Sequence, residues 1–433
     1  MLREEKTRSL AEGMPAAAPI YRKEHKTIMT ERIFDRDAYC RIFSATVIAC
    51  REEKDHFAVL LDRTAFYPEG GGQSGDTGIL KYEETAAREL PAGGRQIRVI
   101  DTQENGERIW HLTERPVKVG SRVEGEIDWE ARFDRMQNHT GEHIVSGLIH
   151  AAYGHQNVGF HMGTESITID LSGELTMEQL QQIERRANEV IWHNVEVITD
   201  CCSEEEAAGR QFRSKKELHG IVRIVTIPGA DVCACCGTHV RRTGEVGLIR
   251  ILSCEKFRSG VRVEMVCGKR AYNYDTEVFR QNHEISVALS AKPLETAKAV
   301  LRTKANMEEA VYKVIGLEQK LFEMTASSLQ DKGNVLISSE EMTPDNVRKR
   351  AVAVMEKCGG KCAVFAGSDQ GGYKYAIGQT GGDLRALVKE VNASLNGRGG
   401  GKPFFAQGSV SAGLEQIREF FGALDETWES MTF

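Results

Sequence analysis

Two histidines four residues apart, His139 and His143 in NHTGEH, have the residue types and spacing for metal chemistry, and so do Cys235 and His239 in CCGTH, at the same interval. On a helix that interval puts both imidazoles on one face, one turn apart, within reach of a single ion. In the second pair a turn at Gly237, rather than a helix, brings the ligands together. Three imidazoles and a thiolate suit Zn2+. Singly each pair is a weak signal, because histidines at this spacing are commonly surface or satisfied core residues. Jointly they predict one zinc per chain. The neighbouring thiols leave the thiolate ligand open: Cys233 or Cys236 can substitute for Cys235, and Cys236 is alternatively a small buried residue. Glu142, between the two histidines, either orients one of them through a hydrogen bond or faces solvent.

HTGEH also fits H-x-x-E-H, the inverted zinc-peptidase signature, in which Glu142 is a general base and a downstream carboxylate completes the shell. The CCGTH pair argues against it, since a thiolate–imidazole pair would then be surplus.

The elements that must position these residues follow from composition and periodicity. At 433 residues the chain exceeds one ordinary core, and its 41% apolar and 27% charged content is that of a globular protein. A net charge of −7 excludes a general nucleic-acid sponge, so any RNA contact must come from local basic patches. No run of about 18 apolar residues predicts a membrane span. Eleven cysteines, an odd number and several adjacent, point to a reducing cytoplasm and to thiol or metal chemistry rather than a disulfide framework.

The fold class expected is α+β and multidomain. Residues 1–34 read as a disordered tail or an over-extended gene start. Short alternating runs over 35–128, such as CRIFSATVIAC and RVEGEIDW, predict a small antiparallel β-barrel. Within it FYPEGGGQSGDTG is a loop. From Trp129 the period becomes helical, with Gly154 as a stop, and residues 129–272 read as one α+β domain around the metal site. In it Leu180, Ile183, Ala187, Val190 and Ile191 mark a second helix with one buried face. Residues 273–330 read as a helical linker interrupted at Pro293, with Val311, Val314, Leu317, Leu321 and Met324 recurring every three or four residues. That row is either a hairpin packed on its own chain or a coiled-coil seam between two copies. Residues 331–433 alternate into a compact α/β domain with a glycine-rich loop, NGRGGGK, near its end.

Four segments in order, TAFYPEGGGQSGDTG from Thr64, NHTGEH from Asn138, CCGTHVRRTGEVGLI from Cys235 and NGRGGGKPFFAQG from Asn396, resemble the editing and C-terminal domains of alanyl-tRNA synthetase. The aminoacylation module is absent, so the resemblance is to the freestanding alanyl-tRNA editing proteins in their long form, over roughly residues 35–425. The resemblance implies hydrolysis of alanine tRNA mischarged with serine, and in some members glycine. It places the zinc ligands on His139, His143, Cys235 and His239, and the substrate loop on Gly70, Gly71, Gly72 and Gln73. It puts the glycine loop of a DHHA1-like C-terminal domain on Gly397–Lys402; the exposed amides of Gly399 and Gly400 and the cations Arg398 and Lys402 suit tRNA phosphates, the alternative being a turn with incidental charges. It points to Thr64 as the group that reads the serine hydroxyl. Two departures stand out: Cys236, where many relatives have glycine, and Phe404–Phe405, where the synthetases carry other residues.

On that reading Gln73, Gly71 and Gly72 are catalytic candidates, because backbone amides without intervening side chains can approach an ester oxygen closely. His161, in VGFHMG, is a candidate for placing water or substrate; the alternative is a structural histidine. Four protein ligands would close the zinc shell, as in structural sites, so a non-catalytic tRNA-binding module with structural zinc is the alternative function. The expected partners are tRNA and, through 275–330 or the C-terminal domain, a second copy of the chain; no membrane partner is expected.

Overall fold

The computed structural model describes residues 29–82, 94–214, 220–340 and 342–432. The chain separates into two compact units, one ending at Gln281 and the other beginning at Asn282.

The first unit opens with a closed six-stranded antiparallel barrel. Its strands run, neighbour to neighbour, Ile42–Glu52, Phe57–Leu61, Arg108–Thr113, Gln96–Asn105, Gly78–Tyr82 and Arg122–Ile127. Alternation along these strands turns Phe43, Ala45, Val47, Val59, Leu61, Leu80, Ile97, Val99 and Val123 into one core. Of the stretch expected as a tail, residues 1–28 lie outside the described residues. Residues 31–34 are ordered beside the barrel: Glu31–Arg32 pairs in parallel with Arg63–Thr64 as a separate two-stranded sheet, and Phe34 packs edge-on against Tyr67 at 5.4 Å.

Next comes the long helix Trp129–Tyr153. Asp128 caps its start, accepting from the Ala131 N–H, and Gly154 ends it in the left-handed region at φ 73°. Ile144, Val145, Leu148 and Ile149 of this helix share a core with two further elements. One is an antiparallel sheet ordered Ile249–Phe257, Gly260–Cys267, Ile167–Leu171, Asn157–Met162. The other is helix Met177–His193, started by a Thr176–Gln179 capping box, which buries Leu180, Ile183, Ala187 and Ile191 at the expected spacing. A small sheet of Ile198–Ser203, Ile221–Ile227 and Asp231–Ala234 completes the unit.

Helix Gly268–Ala288 runs through the division, and a single 3-10 turn at Pro293–Glu295 precedes the 33-residue helix Thr296–Ser328. Phe322 and Ala326 of that helix are buried. The row Val311, Val314, Leu317, Leu321 and Met324 is at least half exposed, so the chain's own described residues do not cover it.

The rest of the second unit is a mixed six-stranded sheet. Its order is Gly397–Lys402, Phe405–Val410, Gly372–Gln379, Gly359–Ser368, Gly333–Ser339 and Trp428–Thr432. Helices Pro344–Met355, Arg385–Ser394 and Leu414–Gly422 accompany it. The glycine-rich segment expected as a loop is an exposed edge strand, Gly397–Lys402, paired with Phe405–Val410. Ladder hydrogen bonds outweigh the poor strand propensity of glycine there. Among the described residues no helix is long and apolar enough to cross a membrane.

Candidate metal centre

Helix Trp129–Tyr153 presents His139, Thr140, Glu142 and His143 in its buried stretch. The segment following strand Asp231–Ala234 presents Cys235 and His239. Arg223 shapes that segment by donating from Nη1 to the carbonyls of Cys235 and Gly237, at 2.8 and 2.9 Å. A Cβ on Gly237 would fall 2.0 Å from Cε1 of His139, so the turn can close on this imidazole only because residue 237 has no side chain.

The side-chain donors of His139, His143, Cys235 and His239 lie within 4.8 Å of one another. The His139 Nε2 to Cys235 Sγ separation is 3.5 Å. Ligands about 2.0 and 2.3 Å from a tetrahedral zinc would stand about 3.5 Å apart. Every Nδ1 is held from behind. His139 meets Gln73 Oε1 at 3.1 Å, His143 meets Asp231 Oδ2 at 2.9 Å and His239 meets Thr140 Oγ1 at 3.2 Å. With each Nδ1–H donating outward, the Nε2 lone pairs converge, which is the tautomer a metal requires. Nε2 of His239 is buried and makes no hydrogen bond among the described residues. These observations fit a single zinc.

Charge agrees with geometry. Burial alone would raise the Cys235 thiol, but the imidazoles of His139 and His143 hold it well below the ordinary thiol range. Burial would likewise raise Asp231, yet His143 and Arg213 keep it below the usual carboxylate range. Arg213 grips that carboxylate with Nε and Nη2 at 2.7 and 2.8 Å. Cys233 is buried and groups with His143 and Asp231, whereas Cys236 is exposed. Glu142 does not face solvent. Its Oε1 accepts from Ser146 at 2.6 Å and from Asn157, and its Oε2 stands 3.9 Å from Nε2 of His143.

The glycine loop reaches the centre through one side chain. Gly70 and Gln73 exchange backbone hydrogen bonds at 3.0 Å, and Gly71 and Gly72 take positive φ of 62° and 87°. Gln73 is thereby turned inward, fully buried, where its amide also engages Thr238. The loop is fixed to the histidine helix by a buried ion pair: Asp76 accepts from Tyr67 N–H at 2.7 Å and from Nε of Arg132 at 2.8 Å. Arg132 also donates to the carbonyls of Ala38 and Ala65.

Thr64 is fully buried, and its polar partners lie in the barrel unit: His111 Nε2 at 2.7 Å and the Phe66 N–H at 3.1 Å. His161 is exposed on strand Asn157–Met162, on the side opposite its neighbour Phe160, as strand alternation requires. Nothing in the local sequence marks Phe160, yet its ring stacks on His139 at 5.5 Å and 18°. Asp231, Arg213 and Thr140 carry no such mark either. No local spacing marks them, and only the tertiary fold brings them to the ligands. In the second unit, Gly399, Gly400 and Lys402 border a cleft of about 300 Å³ with Arg385, Lys389 and Asn392.

Comparison with known proteins follows the same lines. Residues 222–263 match the threonyl and alanyl tRNA synthetase second additional domain, residues 22–131 match class II (A) tRNA synthetases, and residues 332–430 match the DHHA1 domain. The chain is 31% identical to alanyl-tRNA editing protein AlaX-L of Pyrococcus horikoshii, over 90% of this chain and 96% of that protein. It is 31% identical to an alanine–tRNA ligase of Pyrobaculum arsenaticum and 30% identical to one of Thermococcus kodakarensis. These matches cover 90% and 91% of the chain but only 43% and 44% of the ligases.

Proposed function

This chain belongs to the family of alanyl-tRNA editing proteins that includes AlaX-L, and on that premise we propose that it hydrolyses alanine tRNA mischarged with serine, with glycine as the further candidate. The observation that carries the reading is the convergence of one imidazole nitrogen from each of His139, His143 and His239 with the Cys235 sulfur, beside Gln73, which the glycine loop delivers.

The proposed cofactor is one zinc on His139, His143, Cys235 and His239. When bound, zinc supplies charge that polarises a carbonyl or lowers the pKa of a bound water to about 7. Gln73 holds the His139 ring in place and closes the buried side of the pocket. The Gly70 N–H is engaged by Gln73, which leaves the amides of Gly71 and Gly72, at the exposed tip, to meet the developing oxyanion of the ester. His161 enters only at the rim, from the exposed side of its strand.

Thr64 is the proposed reader of the serine hydroxyl, and its partners fix how it reads. Burial keeps His111 neutral, pushing its pKa down to about 4. Its Nδ1–H donates to the Val59 carbonyl at 3.1 Å, so its Nε2 accepts the Thr64 proton. Phe66 N–H takes one Thr64 lone pair. What Thr64 can offer serine is a single acceptor, which alanine and glycine cannot use. In the second unit Arg398 and Lys402, with Gly399 and Gly400, are proposed to hold tRNA phosphates, and a second copy is proposed to cover the exposed row of helix Thr296–Ser328. The proposed location is the cytoplasm.

A shell of four protein ligands favours a second reading, a tRNA-binding module with structural zinc. One experiment separates them: deacylation of seryl-, glycyl- and alanyl-tRNA by purified protein, with metal analysis of the same sample. The proposal expects one zinc per chain, seryl ester hydrolysed faster than alanyl ester, and loss of both metal and activity in His143→Ala or Cys235→Ala. A zinc-loaded protein that binds tRNA without accelerating deacylation establishes the second reading, and metal-free protein with full activity rejects the zinc.

A further inference from the structure

We infer that Phe160 is the wall that limits the size of the aminoacyl side chain, and so determines which esters this site accepts. The inference rests on the hydrolase reading above. Phe160 lies on the edge strand Asn157–Met162 of the four-stranded sheet, and touches both halves of the candidate site. One ring face lies against His139, nearly parallel, at 5.5 Å between centroids. On another side it meets the tip of the glycine loop. A Cβ added to Gly72 would fall 2.6 Å from the ring's Cδ1 and 2.9 Å from the Phe160 carbonyl. The loop is also tied to this strand, because Met162 N–H donates to the Gly72 carbonyl at 3.2 Å.

The position of the ring gives it a steric role. The reacting ester must bring its carbonyl between the metal ligands and the loop amides, and the ring fills the space joining those two groups. The ring is half-buried, so part of it stays accessible from outside the protein. An amino acid held there has its α-carbon substituent directed at a rigid aromatic surface with a fixed backbone behind it. Glycine and serine fit against such a wall. A branched or longer side chain must displace the ring, which is clamped between the His139 imidazole and the loop. Phe160 thus sets an upper size limit.

The test uses one alanine tRNA acylated in turn with glycine, serine, threonine and valine, the full-length zinc-loaded protein, and the variants Phe160→Ala and Phe160→Leu. Threonine is serine with one more methyl, and a single methyl in a pocket discriminates by roughly 10–200-fold. The expected result is that Phe160→Ala raises the ratio of threonyl to seryl deacylation by at least about tenfold, and that Phe160→Leu raises it less. Zinc content should stay at the wild-type value. Wild type active on the seryl ester together with an unmoved ratio in zinc-loaded Phe160→Ala overturns the inference and leaves the hydrolase reading standing. Loss of zinc in both variants makes the ring a brace for His139 and also overturns it. Wild type inert toward every ester removes the hydrolase reading, and the inference with it.

Discussion

Gly237→Ala adds one methyl group at the most crowded point of the metal centre. The new Cβ would stand 2.0 Å from Cε1 and 2.4 Å from Nδ1 of His139. Carbon atoms in ordinary contact are about 3.5–4.0 Å apart, so the ring or the turn must shift by about 1.5 Å. The ring has little room, with Phe160 stacked on it and its Nδ1 held by Gln73 at 3.1 Å. The turn has little more, because Arg223 fastens the Cys235 and Gly237 carbonyls together. Relief therefore displaces either His139 or Cys235, and each is a proposed ligand. Overpacking of this kind costs about 1–3 kcal/mol. Disturbing how a ligand is held lowers metal affinity by roughly 10–100-fold. The assays are competition for zinc against a chelator of known affinity and thermal unfolding of zinc-free protein. Gly71→Ala is the control: nothing lies within 4 Å of its Cβ, so the strain of its positive φ, about 1–2 kcal/mol, should appear without the affinity loss. A Gly237→Ala protein with wild-type zinc affinity and Tm would refute the reasoning.

Asp231→Asn removes the charge that joins His143 to Arg213, and should weaken zinc by roughly 10–100-fold in the same competition; an unchanged affinity would show that His143 needs no anionic partner. Thr64→Val keeps shape and removes the hydroxyl, so seryl deacylation should fall far more than glycyl deacylation at unchanged zinc content, whereas equal loss would mean that Thr64 serves the barrel alone. Burial lowers His111 from its ordinary 6.5 to about 4, so between those pH values the unfolded chain binds a proton that the folded chain refuses. Stability should therefore fall by about 3 kcal/mol as pH drops through that window, measured by urea unfolding; a wild-type pH slope in His111→Leu would disprove the assignment. Replacing Arg398 and Lys402 together with Ala should weaken tRNA binding and reduce its salt slope by up to about two, and an unaltered slope would take both cations off the phosphate backbone.

The two residue pairs were legible in the sequence because each repeats a local interval that a helix or a tight turn converts into proximity, but spacing alone left the thiolate open among Cys233, Cys235 and Cys236, and only the family resemblance pointed to Cys235. Their supports were not legible as supports: Gln73 was marked by the family resemblance as a substrate-loop residue, not as a partner of His139, and Asp231 and Thr140 carried no mark. Gln73, Asp231 and Thr140 reach their histidines across 66, 88 and 99 residues, and no pattern in the chain encodes such a meeting. By residue type His161 is the candidate for chemistry, and the adjacent Phe160 is indistinguishable in sequence from an ordinary strand residue. Strand alternation sends the two to opposite faces, and the register of the sheet decided which one met the ligands. The same limit applies to helix Thr296–Ser328. Its apolar period was plain, but period alone does not distinguish a stripe packed at home from the exposed one observed. The edge strand Gly397–Lys402 was hidden for a further reason: its glycines carry no side-chain signal, and its partner strand supplies the hydrogen bonds.

The buried pair of Asp76 and Arg132 bears on the order in which the protein is made. Asp76 leaves the ribosome 56 residues ahead of the arginine that neutralises it. At synthesis rates of about 5–20 residues per second, Asp76 and the glycine loop before it wait about 3 to 11 s for the helix that will hold them, and four of the six barrel strands are made in that interval. His139 and His143 follow within that helix, and Cys235 and His239 emerge later still. A nascent or truncated chain therefore carries the loop and two imidazoles without the Cys235 thiol or the third imidazole, and the four proposed zinc ligands can meet only once the segment through His239 has been made.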